Sequence, residues 1–127
     1  MREVRPLAGR AAFSDLFKAL IKQESGGNGQ AVSPKGALGS TQMLPDTARE
    51  MARKVGLPFN PSLLQSNAPE ALAYQRQLGE AYLREGLEKT GNVRDALHYY
   101  HGGPDRRQWG PKTRAYATSV LGNIGGR

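Results

Sequence analysis

With 127 residues, 38% of them hydrophobic and 23% charged, the chain has the size of one folded domain, burying roughly two-thirds of its unfolded surface, and is too apolar to be disordered. It contains no cysteine, which excludes a disulfide scaffold and a thiolate metal site, and no apolar run near the ~20 residues of a membrane span or like the core of a signal peptide. A net charge of +7 suits a polyanion such as nucleic acid, an anionic membrane or a bacterial wall, and equally suits simple solubility.

Residues 1–10 lack periodicity and contain Pro6, so they are expected to form a flexible N-terminal arm. A helix is expected over Ala11–Ser25, where Phe13, Leu16, Phe17, Leu20 and Ile21 recur at the spacing of one helix face. Glu24 projects only about 20° from Phe13 on that face. A carboxyl group facing the core loses hydration, which favours its neutral form, and a neutral acid can protonate a leaving-group oxygen. The competing reading is a helix end that turns Glu24 out to solvent at Gly26 and Gly27.

Residues 26–41 are expected to be loop; their glycines follow no strand and show no phosphate-loop pattern. A second helix is expected over Gln42–Val55, with Pro45 in its first turn and Gly56 closing it. After the proline-punctuated stretch 57–61, Asn67 and Glu70 suggest a capped start to a third helix with Ala71, Tyr74, Leu78, Ala81 and Tyr82 buried. Glu85 lies near that face, but Lys89 follows four residues on, the order of an exposed ion pair. Asn92 and Asp95 open a fourth helix with Val93, Ala96, Leu97 and Tyr100 inward. His98 and His101 stand three apart, yet no third His or Cys exists to complete a metal site. No metal and no cofactor are expected. Trp109, the lone tryptophan, is expected to anchor the loop 105–111 rather than to stack on a ligand. A fifth helix follows over Pro111–Leu121, and residues 123–127 are expected to be a tail.

Four pieces of sequence stand in register: Glu24-Ser25-Gly26-Gly27-Asn28, then Ser33-Pro34-Lys35-Gly36-Ala37-Leu38-Gly39, then Gln42, then Pro45. Together they resemble the lytic transglycosylases of the goose-type lysozyme-like superfamily, with their ES dipeptide, S-x-x-G-A-x-G segment, GLMQ-type motif and following proline. Tyr100 with Gly103-Pro104, and Thr113-Arg114-Ala115-Tyr116, are similar to the family's A-Y-N-A-G-P and E-T-R-x-Y-V segments. The departures are Ser40-Thr41 for the middle of GLMQ, and His101 where the family has Asn.

The resemblance implies a mainly α, lysozyme-like single domain over residues 11–122, of about five helices around a sugar-binding cleft. It implies Glu24 as sole acid and base, with Ser33, Gln42, Tyr100, His101 and Tyr116 toward the sugar, Tyr116 matching a tyrosine whose hydroxyl points at the catalytic Glu. The implied reaction cleaves the β-1,4 bond between N-acetylmuramic acid and N-acetylglucosamine and leaves 1,6-anhydromuramic ends. Most glycosidases use two carboxylates. Asp46 is better explained by the helix dipole and Glu85 by its expected ion pair, so a single acid agrees with a substrate that supplies its own nucleophile.

Two alternatives stay open: a hydrolytic muramidase, and a non-catalytic basic module that binds wall polymer or nucleic acid. The basic residues are scattered over every segment rather than lined along one helix face, so no nucleic-acid partner is expected. The expected partner is the peptidoglycan glycan strand, met in the periplasm or cell wall by a monomeric domain. Lacking a signal peptide, it is expected to arrive as a phage virion component or within a larger exported protein.

Overall fold

The computed structural model describes residues 10–124; apart from Arg10, the expected arm lies outside them, as do residues 125–127 of the expected tail. Among the described residues are five α-helices: α1 (Arg10–Glu24), α2 (Pro45–Val55), α3 (Pro69–Thr90), α4 (Val93–Gly102) and α5 (Pro111–Asn123). Two 3-10 turns, Pro61–Leu64 and Arg106–Gln108, lie between them. The architecture is mainly helical, as expected. No helix in this region is long and apolar enough to cross a membrane. Backbone contacts divide the chain into two compact units, one running through Gln23 and resuming at Tyr82, the other Glu24–Ala81.

In the first unit the periodic face of α1 buries Phe13, Leu16, Phe17 and Leu20, while Ile21 stays half-buried. The second half of α3 contributes Tyr82 and Leu83, α4 contributes Ala96, Leu97, Tyr99 and Tyr100, and α5 contributes Tyr116, Ala117 and Val120. The Tyr82 ring meets Tyr99 at 5.5 Å and Tyr100 at 5.1 Å between centroids, both tilted by more than 50°, away from the face-to-face sandwich that aromatic quadrupoles disfavour. Asn92 caps α4 as expected, its side chain accepting from the Asp95 backbone N–H at 2.8 Å. Glu85 departs from expectation: it is half-buried and accepts from the Tyr99 hydroxyl at 2.5 Å. A phenol from a neighbouring helix, rather than Lys89, is the partner seen.

In the second unit, Met43, Ala48, Met51, Ala52, Leu64, Ala71, Tyr74 and Leu78 form the core. The Tyr74 hydroxyl donates to Pro58 O at 2.8 Å and accepts from Asn60 N at 2.9 Å, fastening the proline-rich connection to α3. Helix α2 starts three residues later than expected. Pro45 is its first residue, and Leu44 before it is extended (φ −66°, ψ 144°), as a residue preceding proline must be. Gly56 closes α2 in a left-handed conformation (φ 78°), as expected. The expected Asn67 cap is absent from α3, which begins at Pro69. The Asn67 side-chain oxygen instead accepts from Gly29 N at 2.7 Å.

The loop 26–41 carries more order than expected. Leu38 bridges both Val32 and Met43 in antiparallel fashion, so the segment folds on itself as a small knot of backbone hydrogen bonds. Gly39 lets it do so at φ 83°, and a Cβ there would stand 2.5 Å from the Leu64 carbonyl oxygen. Gly39→Ala therefore combines a disfavoured backbone with an unrelievable clash. It should cost about 1–3 kcal/mol or more, measured as the shift of the urea unfolding midpoint at constant m.

The tyrosine cluster fixes the alkaline limb of stability. Burial, then the nearby Glu85 carboxylate, pushes Tyr82 up to about 12. Tyr99 is raised further, by burial first and then by its hydrogen bond to Glu85. Unfolded tyrosine ionises near ~10, so above that pH the folded chain holds protons that the unfolded chain releases. This stabilisation is complete below about pH 10 and is lost as pH rises toward 12. Denaturation series at several alkaline pH values should show Tyr82→Phe losing stability less steeply with pH than wild type; equal slopes would contradict the assignment.

Candidate functional site

Glu24 is the last residue of α1 and is half-buried, less sealed than a core-facing stripe alone implies. The helix stops there because Gly26 and Gly27 follow in left-handed conformations (φ 66° and 93°). The adjoining Ser25 does two jobs. Its hydroxyl oxygen accepts from Gly27 N at 3.0 Å, and its proton goes to the Ser40 carbonyl at 2.7 Å. The helix end that presents Glu24 is thus tied to a point fifteen residues further on.

Ser33 and Gln42 lie on the same loop in this unit, both half-buried. Ser33 closes the turn 33–37: its Oγ accepts from Ala37 N at 2.9 Å and Lys35 N at 3.2 Å, while its backbone N–H donates to Ala37 O at 2.9 Å. Gln42, expected in α2, sits outside it at φ 51°, the only non-glycine among the described residues with positive φ. Such strain costs about 1–3 kcal/mol and gathers at functional sites. The Gln42 amide offsets it locally, Nε2 donating to Gly39 O at 3.0 Å and Ala31 O at 3.2 Å. With both amide protons engaged, Oε1 is the group this side chain can offer a ligand.

Tyr100, His101 and Tyr116 belong to the other unit. Tyr100 and Tyr116 are buried and His101 is exposed. The His101 ring stacks on Tyr116 at 4.6 Å and 27°, and its Nδ1 lies 3.2 Å from the Thr113 hydroxyl. An imidazole in the place of the family's Asn is therefore held on two sides. Beside it, Trp109 anchors its loop as expected, the indole N–H donating to Gly103 O at 2.8 Å. Arg106 lies over the indole face at 4.7 Å and His98 packs against it at 5.2 Å. His98 Nδ1 is 3.1 Å from Asp95. The Asn92 amide, hydrogen-bonded to Asp95 at 3.1 Å, holds that carboxyl below the usual carboxylate range, and His98 and Arg106 add to the effect.

One residue important to the loop escaped the sequence expectations. Gln75, 1% exposed, bonds to Ser40, Gly29, Leu63 and Ser66. Its signal was present: Ala71, Gln75, Leu78 and Tyr82 share one helix face, which places an amide among apolar residues. Among the described residues no group of three or more His, Cys, Asp or Glu side chains is arranged to hold a metal ion.

Comparison with known proteins places the chain as a whole among transglycosylases. A transglycosylase of Enterobacteria phage PRD1 is 34% identical over 109 residues, covering 86% of this chain and 36% of the phage protein. The soluble lytic murein transglycosylase of Escherichia coli K12 is 31% identical over 132 residues, covering 91% of this chain and 18% of that protein. Among solved structures, the lytic transglycosylase Slt of Pseudomonas aeruginosa superposes with a TM-score of 0.70 at 29% identity, over 93% of this chain and 22% of that one. The 70 kDa soluble lytic transglycosylase of Escherichia coli gives 0.68 at 26% identity, over 84% and 20%. The chain thus spans about a third or less of the length of these relatives, and its helical fold is the lysozyme-like one they contain. The family model described as the transglycosylase SLT domain matches residues 9–121, a range that takes in α1 to α4 and all but the last two residues of α5, and the chain belongs to that family.

Proposed function

We propose that this chain is a peptidoglycan lytic transglycosylase, acting on glycan strands of the bacterial wall with Glu24 as its acid and base. The observation that carries the reading is the setting of Glu24, half-buried at the end of α1 beside a serine fastened to the loop of Ser33 and Gln42. The names of the relatives, transglycosylase and soluble lytic murein transglycosylase, support it. Residues 11–122 form the catalytic domain in this reading.

The Glu24 carboxyl gives its proton to the glycosidic oxygen as the bond from the muramoyl anomeric carbon breaks, releasing N-acetylglucosamine with a free 4-hydroxyl. The 2-acetamido group stabilises the electron-poor centre. Glu24, now carboxylate, takes the proton from the muramoyl 6-hydroxyl, whose oxygen closes on the anomeric carbon. Glu24 ends as it began, no water is consumed, and no second carboxylate is required. Ser33, Gln42, Tyr100, His101 and Tyr116 position the sugar.

Glu24→Gln should abolish lysis in a zymogram while remaining folded. Gln42→Ala and Tyr116→Phe should each lower turnover about 10- to 1000-fold, and His101→Asn should be tolerated. Mass spectrometry of a digest should find 1,6-anhydromuramic ends, one water lighter than hydrolytic fragments and inert to borohydride. Reducible muramic ends would instead make the enzyme a hydrolase.

A further inference from the structure

The primary amide of Gln75 is buried where a hydrocarbon would be expected, and it is fully used. Its Oε1 accepts from the backbone N–H of Ser40 at 2.8 Å and from the Ser40 hydroxyl at 2.7 Å. Its Nε2 donates to Leu63 O at 3.0 Å, Ser66 O at 3.1 Å and Gly29 O at 3.2 Å. These bonds reach both ends of the loop 29–40 and the segment that precedes α3. Ser40 passes the constraint on, its carbonyl accepting from Ser25, the neighbour of Glu24. There is no slack in the packing. A Cβ at Gly29 would lie 2.1 Å from Ser66 O, and one at Gly39 would lie 2.9 Å from the Gln75 amide carbon.

From this network we infer that Gln75 is a positioning residue for the reaction proposed above, on which the inference rests. It acts through Ser40 and Ser25, setting where the end of α1 and the loop of Ser33 and Gln42 stand. A planar amide with two protons and an acceptor oxygen can hold two loop ends in one register. An apolar side chain of equal volume fills the space and holds neither. Displacing a catalytic group by about 1 Å costs roughly 100-fold in rate.

The test is a double-mutant cycle of Gln75→Glu with Ser25→Ala, reading anhydromuramic ends released from purified peptidoglycan per folded molecule. Gln75→Glu keeps the length and the acceptor oxygen but removes both amide protons. It should lose about 100-fold, Ser25→Ala about 10-fold, and the double variant no more than Gln75→Glu alone, because once the carbonyls of Gly29, Leu63 and Ser66 are released Ser40 has no fixed place from which to hold Ser25. Activity within twofold of wild type, or losses that multiply, overturns the inference. Amide exchange over residues 39–43 should quicken at least about tenfold in Gln75→Glu while α4 is unchanged; unaltered exchange also overturns it. Should Gln75→Glu not fold, Ser40→Ala replaces it in the cycle, with a loss of about 3- to 10-fold expected and full activity overturning the idea. A wild-type chain inert toward peptidoglycan refutes the proposed function instead, and the exchange experiment then tests the clamp alone.

Discussion

A buried polar group must find its partners inside the protein, and Gln75 shows how far one such requirement can reach. Each unpaired buried donor or acceptor costs about 1–3 kcal/mol, so the amide of Gln75 and the backbone groups around it are stable only together. Gly29, Ser40, Leu63 and Ser66 are all held by one side chain. Gly29 and Gly39 are small for the same reason: backbone lies against backbone where the amide draws the segments in. Ser25, Ser33 and Gln42 then complete a loop whose polar side chains are spent largely on its own shape.

The other unit relies on different physics. Its aromatic cluster is held by ring contacts around Tyr82 and by the phenol–carboxylate bond between Tyr99 and Glu85, a charge-assisted contact roughly twice as strong as a neutral one. Around Asp95, an asparagine, a histidine and an arginine share one carboxylate. These groups fix α4 against the Trp109 loop, and so the backbone of Gly102 and Gly103 beside His101.

What the sequence made legible follows from the range of each interaction. The buried face of α1 could be read from spacing, because helical periodicity is local. The Asn92 cap and the Gly56 stop were local too. Asn67 had the local pattern of a cap but went to Gly29 N, 38 residues away, where a buried donor outweighed a helix end that water can satisfy. The late start of α2 had a visible cause in Pro45, which forces Leu44 out of the helical region. Glu85 was assigned to Lys89 by spacing along one helix, whereas its partner Tyr99 comes from another. The motif residues could be placed by resemblance, but their wiring through Gln75 spans 35 and 46 residues, and no window along the chain contains it.

The anchoring of Trp109 has a use beyond holding a loop. It is the only tryptophan of the chain, half-buried, with its indole N–H committed to Gly103 O and a guanidinium and an imidazole against its ring. Intrinsic emission excited at the red edge of protein absorption therefore comes from a single, known place. That place adjoins the Gly-Pro segment next to His101, so the native chain carries its own optical reporter of this loop, needing no label and no added residue.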